Sequence, residues 1–176
     1  MNNSLQEYLN FANKLADVAG ITSMEYFRTS LSIDNKSDES PVTIADKNTE
    51  LKIRSLIENE YPDHGILGEE FDSVNPDAEF IWVIDPIDGT RSYIAGHKDV
   101  GNLISLTQNK KPIIGIINCP AHNERWVGAK NQSSTVNQQT VNTSNITAIE
   151  DAYIFTSGLY FDEPHLRNAV DKIKNK

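Results

Sequence analysis

Apolar residues recur at helical spacing from the start of the chain. Leu5, Leu9, Ala12, Ala16 and Ala19 share one face, and Leu15, Met24 and Phe27 extend the stripe. They predict an amphipathic helix over residues 4–27 whose inward side is core. Ser4 and Glu7 have the spacing of a capping box. Residues 30–40 are polar, with Asp34, Lys36, Asp38 and Glu39, and predict a loop or hairpin. A second helix is predicted over 45–61, with Leu51, Leu56 and Ile57 inward and Pro62 ending it. Asp46 falls in its first turn, where an acid complements the helix dipole.

The pattern then changes period. Gly65-Ile66-Leu67-Gly68-Glu69-Glu70 is a short apolar run that turns acidic, as at the end of a buried strand, and residues 72–78 are a polar loop. The run 80–84 leads into Asp85-Pro86-Ile87-Asp88-Gly89-Thr90. Three further strands are predicted over 102–107, 112–118 and 125–129, joined by turns at 108–111 and 120–124 as an antiparallel meander. Gly115 inside one of them suggests close packing or a bulge. Residues 131–145, rich in Asn, Gln, Ser and Thr, predict a surface loop or edge hairpin. A strand over 152–156 and a helix over 163–174, with Leu166, Val170 and Ile173 on one side, complete the expectation. The fold class is α+β: two N-terminal helices packed on a mainly antiparallel sheet.

The chemistry concentrates at the end of the central strand. Asp-Pro and Asp-Gly are also ordinary turn chemistry. A strand that delivers Asp85 and Asp88 to its end, with Pro86 stiffening the chain and Gly89 allowing close backbone approach, is also a way to present acids at a sheet edge. N–H groups after Gly89 can open a short helix toward an anion. Carboxylate oxygens suit Mg2+, which borrows its remaining ligands from water and substrate phosphate. Gly96 and Gly101 have P-loop spacing, but Asn102 stands where Lys is required, so no Walker motif is read.

Composition narrows the partners. The 176 residues carry a net charge of -9, with a pI near 4.8. Such a chain is poorly suited to non-specific nucleic-acid or anionic-membrane binding. Acids gathered around metal ions would be neutralised locally, so an anionic substrate fits. The single cysteine, Cys119, allows no internal disulfide and reads as a small buried residue. Neither a signal-peptide pattern nor an apolar run long enough to span a membrane is present, and the expected location is cytoplasmic.

Three separated motifs, residues 41–46, Gly68-Glu69-Glu70 and residues 82–90, together resemble the inositol monophosphatase family of Mg2+-dependent phosphomonoesterases. Residues 90–96, Gly115-Ile116-Ile117 and Glu124-Arg125-Trp126-Val127-Gly128 are most similar to its histidinol-phosphatase branch. Val100-Gly101-Asn102 and Asn118-Cys119 depart from that branch. The resemblance implies hydrolysis of a small phosphate monoester by metal-activated water, with L-histidinol phosphate (histidine biosynthesis) as substrate. The alternatives are inositol monophosphatase or 3′-phosphonucleotide phosphatase activity, or a non-catalytic remnant or split-enzyme subunit.

In site terms, the resemblance implies that Glu69, Asp85, the carbonyl of Ile87 and Asp88 hold Mg2+, with Glu70 a supporting acid. Asp46 and Thr90 would form a hydrogen-bonded pair that orients a metal-bound water, and Gly89, Thr90 and Arg91 would receive the phosphate. It also implies a metal-binding N-terminal phosphatase domain over 1–150, and the start of a C-terminal α/β domain over 151–176, within a layered αβαβα fold. The family's further domain supplies a Trp-Asp motif to the second metal site, whereas Trp126 here precedes Val127. The implied partner is a second copy (a dimer) or a complementing C-terminal half, meeting an otherwise exposed hydrophobic sheet edge or face.

Overall fold

The computed structural model describes residues 4–30, 33–35 and 41–153. The chain divides into two compact units, Met1–Asn142 and Thr143–Lys176. In the first, helix α1 (Leu5–Tyr26) is followed by a small hairpin of β1 (Ile33–Asn35) and β2 (Pro41–Thr43), then α2 (Ile44–Glu60). A seven-stranded sheet takes the rest: β3 (Gly65–Leu67), β4 (Phe80–Asp88), β5 (Gly101–Gln108), β6 (Lys111–Cys119), β7 (Glu124–Ala129), β8 (Thr135–Val136) and β9 (Gln139–Thr140), in that spatial order. A five-residue helix, α3 (Thr90–Ile94), lies between β4 and β5. Only the β3–β4 pair is parallel among these strands, and the remainder is the expected meander.

One apolar face of the sheet carries the core. Trp82, Ile84, Ile104, Leu106, Ile114 and Ile116 pack beneath Phe11, Leu15 and Ala19 of α1 and Ile53 and Ile57 of α2. Small residues on α1 (Ala12, Ala16, Ala19) let that helix lie close to the strands. Glu7 accepts the Ser4 N–H at 3.1 Å, closing the predicted capping contact. At one end, Tyr8, Phe11, Tyr61, His64, Phe80 and Trp82 form a ring cluster, and Trp82 Nε1 donates to His64 Nδ1 at 3.1 Å. Among the described residues, no helix is long and apolar enough to cross a membrane.

Three expectations are corrected. Leu51 is 49 % exposed, because the inward stripe of α2 runs through Ala45, Asp46, Thr49, Glu50, Ile53, Arg54 and Ile57. Charged residues at 46, 50 and 54 disguise that face as polar and shift the apparent apolar phase. Gly115 sits in regular pairing opposite Ser105 and Gly128, and a Cβ there would meet nothing within 4 Å. It marks neither a bulge nor a close approach; the β5–β6 irregularity falls at Leu106/Thr107 instead. Ala152 and Tyr153 follow a 3-10 turn (Ile149–Asp151) and lie in no strand, so the strand expected from residue 152 is absent over its first two positions. Residues 154–156 and the helix expected over 163–174 lie outside the described residues.

Candidate active site

The acidic turn is made by a defect in β4. Up to Ile84 the strand alternates, with Trp82 and Ile84 in the core and Val83 and Asp85 toward the other face. Pairing with β5 then slips: Asp85 is opposite Leu103, but Asp88 is opposite Gly101, so β4 accommodates one extra residue. Pro86 falls inside this bulge, where its missing N–H costs the ladder nothing. Ile87 turns into a second apolar cluster with Ala45, Tyr93 and Val100, anchoring the turn, while Asp88 is exposed. Gly89 follows at φ 85°, a left-handed conformation that favours glycine, and caps α3. Asp85 borders an open groove of about 500 Å³ on the outer sheet face, which also carries Ile117 (50 % exposed) and Trp126 (41 % exposed).

Glu69 reaches the same place from β3, because the parallel β3–β4 pairing sets Leu67 beside Val83. Asp85 is pushed up to about 7, first by burial, then by the charge of Glu69, a hydrogen bond with the Glu69 side chain, and the charge of Asp88; a backbone hydrogen bond at Ile87 pulls the other way. Glu69, Asp85 and Asp88 therefore share one electrostatic site. Asp85 Oδ1 is buried and has no hydrogen-bond partner among the described residues.

Helix α2 holds the Glu69 turn in a way that the sequence pattern concealed. Glu50 is fully buried, and its Oε2 accepts the N–H groups of Glu69 (3.0 Å) and Glu70 (2.8 Å). Its Oε1 accepts Arg54 Nε at 2.8 Å, and Arg54 also donates to the Phe71 carbonyl at 2.9 Å. Gly68 makes this possible: a Cβ there would lie 1.9 Å from Glu50 Oε1. The overlooked signal was an i,i+4 acid–base pair falling within the otherwise inward stripe of α2.

Asp46 is buried at the third position of α2, where its Oδ2 accepts the Thr43 N–H (2.8 Å) and the Thr43 hydroxyl (2.6 Å). Thr43 and Asp46 thus form a capping box at the start of α2. Its charge is also felt by Tyr93 of α3, whose hydroxyl is raised by burial first and then by Asp46 and Tyr26. Thr90 opens α3, and its hydroxyl donates to the Ile87 carbonyl at 3.1 Å. Arg91 is exposed on the same helix, and Glu70 is half-buried beside Glu69. Cys119 is half-buried rather than buried, at the end of β6. Its thiol is pushed up by burial and by the carboxylates of Glu124, Asp88 and Asp99, which disfavours a thiolate nucleophile.

An oxygen-ligated divalent cation fits this donor set. It would supply a partner for the orphaned Asp85 Oδ1 and offset the burial, and after it the neighbouring charges, that raise Asp85. Among the described residues, no three acidic, His or Cys side chains are already gathered in a ligating arrangement.

The whole described fold and both acidic turns fall within residues 4–176, which match the sequence model of the inositol monophosphatase family. This chain belongs to the inositol monophosphatase family. Among relatives of this family member, the chloroplastic bifunctional phosphatase IMPL2 of Arabidopsis thaliana is 35 % identical over 174 residues, covering 98 % of this chain and 50 % of that one. A histidinol-phosphatase of Chlorobaculum parvum is 37 % identical over 168 residues, covering 94 % and 65 %. The solved structure of an inositol monophosphatase from Zymomonas mobilis matches with a TM-score of 0.84 at 39 % identity, covering 99 % of this chain and 67 % of that one. The chain spans half to about two thirds of the length of these relatives.

Proposed function

We propose that this inositol monophosphatase family chain carries the metal- and phosphate-binding part of a Mg2+-dependent phosphomonoesterase, with L-histidinol phosphate as the substrate. The observation that carries the reading is the orphaned Asp85 Oδ1 inside the Glu69–Asp85–Asp88 cluster. Carboxylates gathered at one site repel a phosphate ester, so the same residues that suit a cation also call for one between them and the substrate. Glu69, Asp85, Asp88 and the Ile87 carbonyl are the candidate ligands, with Glu70 beside them. Bound Mg2+ would neutralise the ester and make its phosphorus more electrophilic.

The chain's own groups do the rest. Thr90 commits its proton to the Ile87 carbonyl, so its oxygen lone pairs face outward as acceptors for a hydrogen of the attacking water. Asp46, fixed at the start of α2, supports that end of the site. The opening N–H groups of α3 have no intrahelical acceptor and, with Gly89 and Arg91, receive phosphate oxygens. Water oxygen bonds to phosphorus, the P–O ester bond breaks, and the water proton passes to the departing alcohol. Positioning and charge complementarity account for the acceleration, without a covalent phosphoenzyme.

Histidinol phosphate is favoured by the segments at 90–96 and 124–128 and by relatives named histidinol-phosphatase. An inositol phosphate is the second reading, favoured by the likeness to the Zymomonas mobilis protein. The test is phosphate release from histidinol phosphate, inositol 1-phosphate and a 3′-phosphonucleotide, with and without Mg2+, with Asp88→Asn as control. Mg2+-dependent release from histidinol phosphate that the variant loses is the expected result. Release from inositol 1-phosphate alone overturns the substrate, and no release by folded protein overturns the activity of this chain.

A further inference from the structure

Behind the acidic turn lies a run of buried polar side chains, two of which, Asn102 and Asn118, fall within the two stretches that depart from the histidinol-phosphatase pattern. They face each other across β5 and β6 and are 2 % and 5 % exposed. Asn102 Nδ2 donates to the Pro86 carbonyl at 2.7 Å and to Ser23 Oγ at 3.2 Å. Its Oδ1 accepts Asn118 Nδ2 at 2.9 Å, which also donates to the Ala16 carbonyl at 3.2 Å. Asn118 Oδ1 in turn accepts Arg125 Nε at 3.0 Å, and Arg125 reaches Asp17 at 2.7 Å and Asn13 Oδ1 at 3.3 Å. Gly20 on α1 leaves the room: a Cβ there would lie 2.8 Å from Asn118 Nδ2.

The polarity of this chain is forced from one end. Arg125 can only donate, so it requires the oxygen of Asn118 to face it. Asn118 must then turn its nitrogen toward Asn102, whose oxygen accepts it. Asn102 is left with its nitrogen aimed at Pro86. Flipping either amide would set oxygen against oxygen in a buried site. The carbonyl so held belongs to the bulge between Asp85 and Asp88, where ladder pairing has lapsed.

We propose that Asn102, oriented through Asn118 and Arg125, is a positioning residue that pins the Pro86 carbonyl and so sets the turn presenting Asp85 and Asp88. The consequence for metal binding rests on the proposed reading of those two acids as ligands. The test compares Asn102→Ser and Arg125→Met with the unaltered chain, by amide hydrogen exchange and by Mn2+ titration. Asn102→Ser is expected to speed exchange at Ile87–Thr90 by about ten-fold, with β3 and α2 unchanged. It is also expected to weaken Mn2+ binding by about ten-fold or more. Arg125→Met, half-exposed at the far end, is expected to act in the same direction more weakly, and Arg125→Lys to restore part of the loss. If Asn102→Ser does not fold, Arg125→Met decides alone. Exchange unchanged at 87–90 in folded variants, or faster exchange with unaltered Mn2+ affinity, overturns the proposal. Absence of Mn2+ binding by the unaltered chain overturns the metal reading only, and the exchange result still decides the brace.

Discussion

Replacing Asp85 by Asn separates the electrostatic cost of the site from its use. The folded chain raises Asp85 from 3.8 to about 7, a rise of about 3 pH units. At ~1.4 kcal/mol per unit this amounts to ~4 kcal/mol of penalty on the ionised folded form. Asp85 is partly open to solvent, and screening reduces the figure to about 1–2 kcal/mol. Because the folded value lies above the unfolded one, the stability linked to this group is complete below about pH 4 and lost as pH rises through 7. Asn keeps the shape and carries no charge. In EDTA at pH 8, Asp85→Asn should therefore be more stable by about 1–2 kcal/mol, a Tm rise of about 3–6 °C, with a smaller advantage at pH 5. Added Mg2+ should raise the Tm of the unaltered chain and leave the variant unmoved. Thermal melts at both pH values, with EDTA or Mg2+, read all of this. A variant no more stable than the original at pH 8 in EDTA would refute the electrostatic reasoning, and equal stabilisation of both by Mg2+ would refute the ligand assignment.

Glu50→Gln should cost about 3–5 kcal/mol in urea unfolding, because it leaves the Arg54 guanidinium buried without its counter-charge. Gly68→Ala should displace Glu50 from the Glu69 and Glu70 N–H groups and weaken Mn2+ binding by about ten-fold or more, while Gly115→Ala, which meets open space, should change neither stability nor binding. The His64 ring is lowered from 6.5, chiefly by burial, so its share of stability is present above pH 6.5 and declines as pH falls below that value. In the Asp85→Asn background, where the opposing contribution is removed, urea midpoints should fall between pH 7.5 and 5.5, and His64→Gln should flatten that slope.

Much of the architecture could be read directly from the chain because its signals are local. The small-residue stripe of α1, the two-residue alternation of the β5–β7 meander and the acids following an apolar strand each express a short-range preference that one face must be buried. Asp85 and Asp88 were visible as a pair for the same reason. The tertiary structure decided how distant segments share charge. Parallel pairing of β3 with β4 brings Glu69 to Asp85, and the bulge at Pro86 puts Ile87 inside and Asp88 outside. No spacing rule foretells either. The same holds for Glu50, Arg54, Asn102 and Asn118, which look like surface residues in a hydropathy pattern and are buried. A buried polar group needs its hydrogen bonds met, and for these four residues partners arrive from 16 to 102 residues away, in Phe71, Glu69, Pro86 and Ala16.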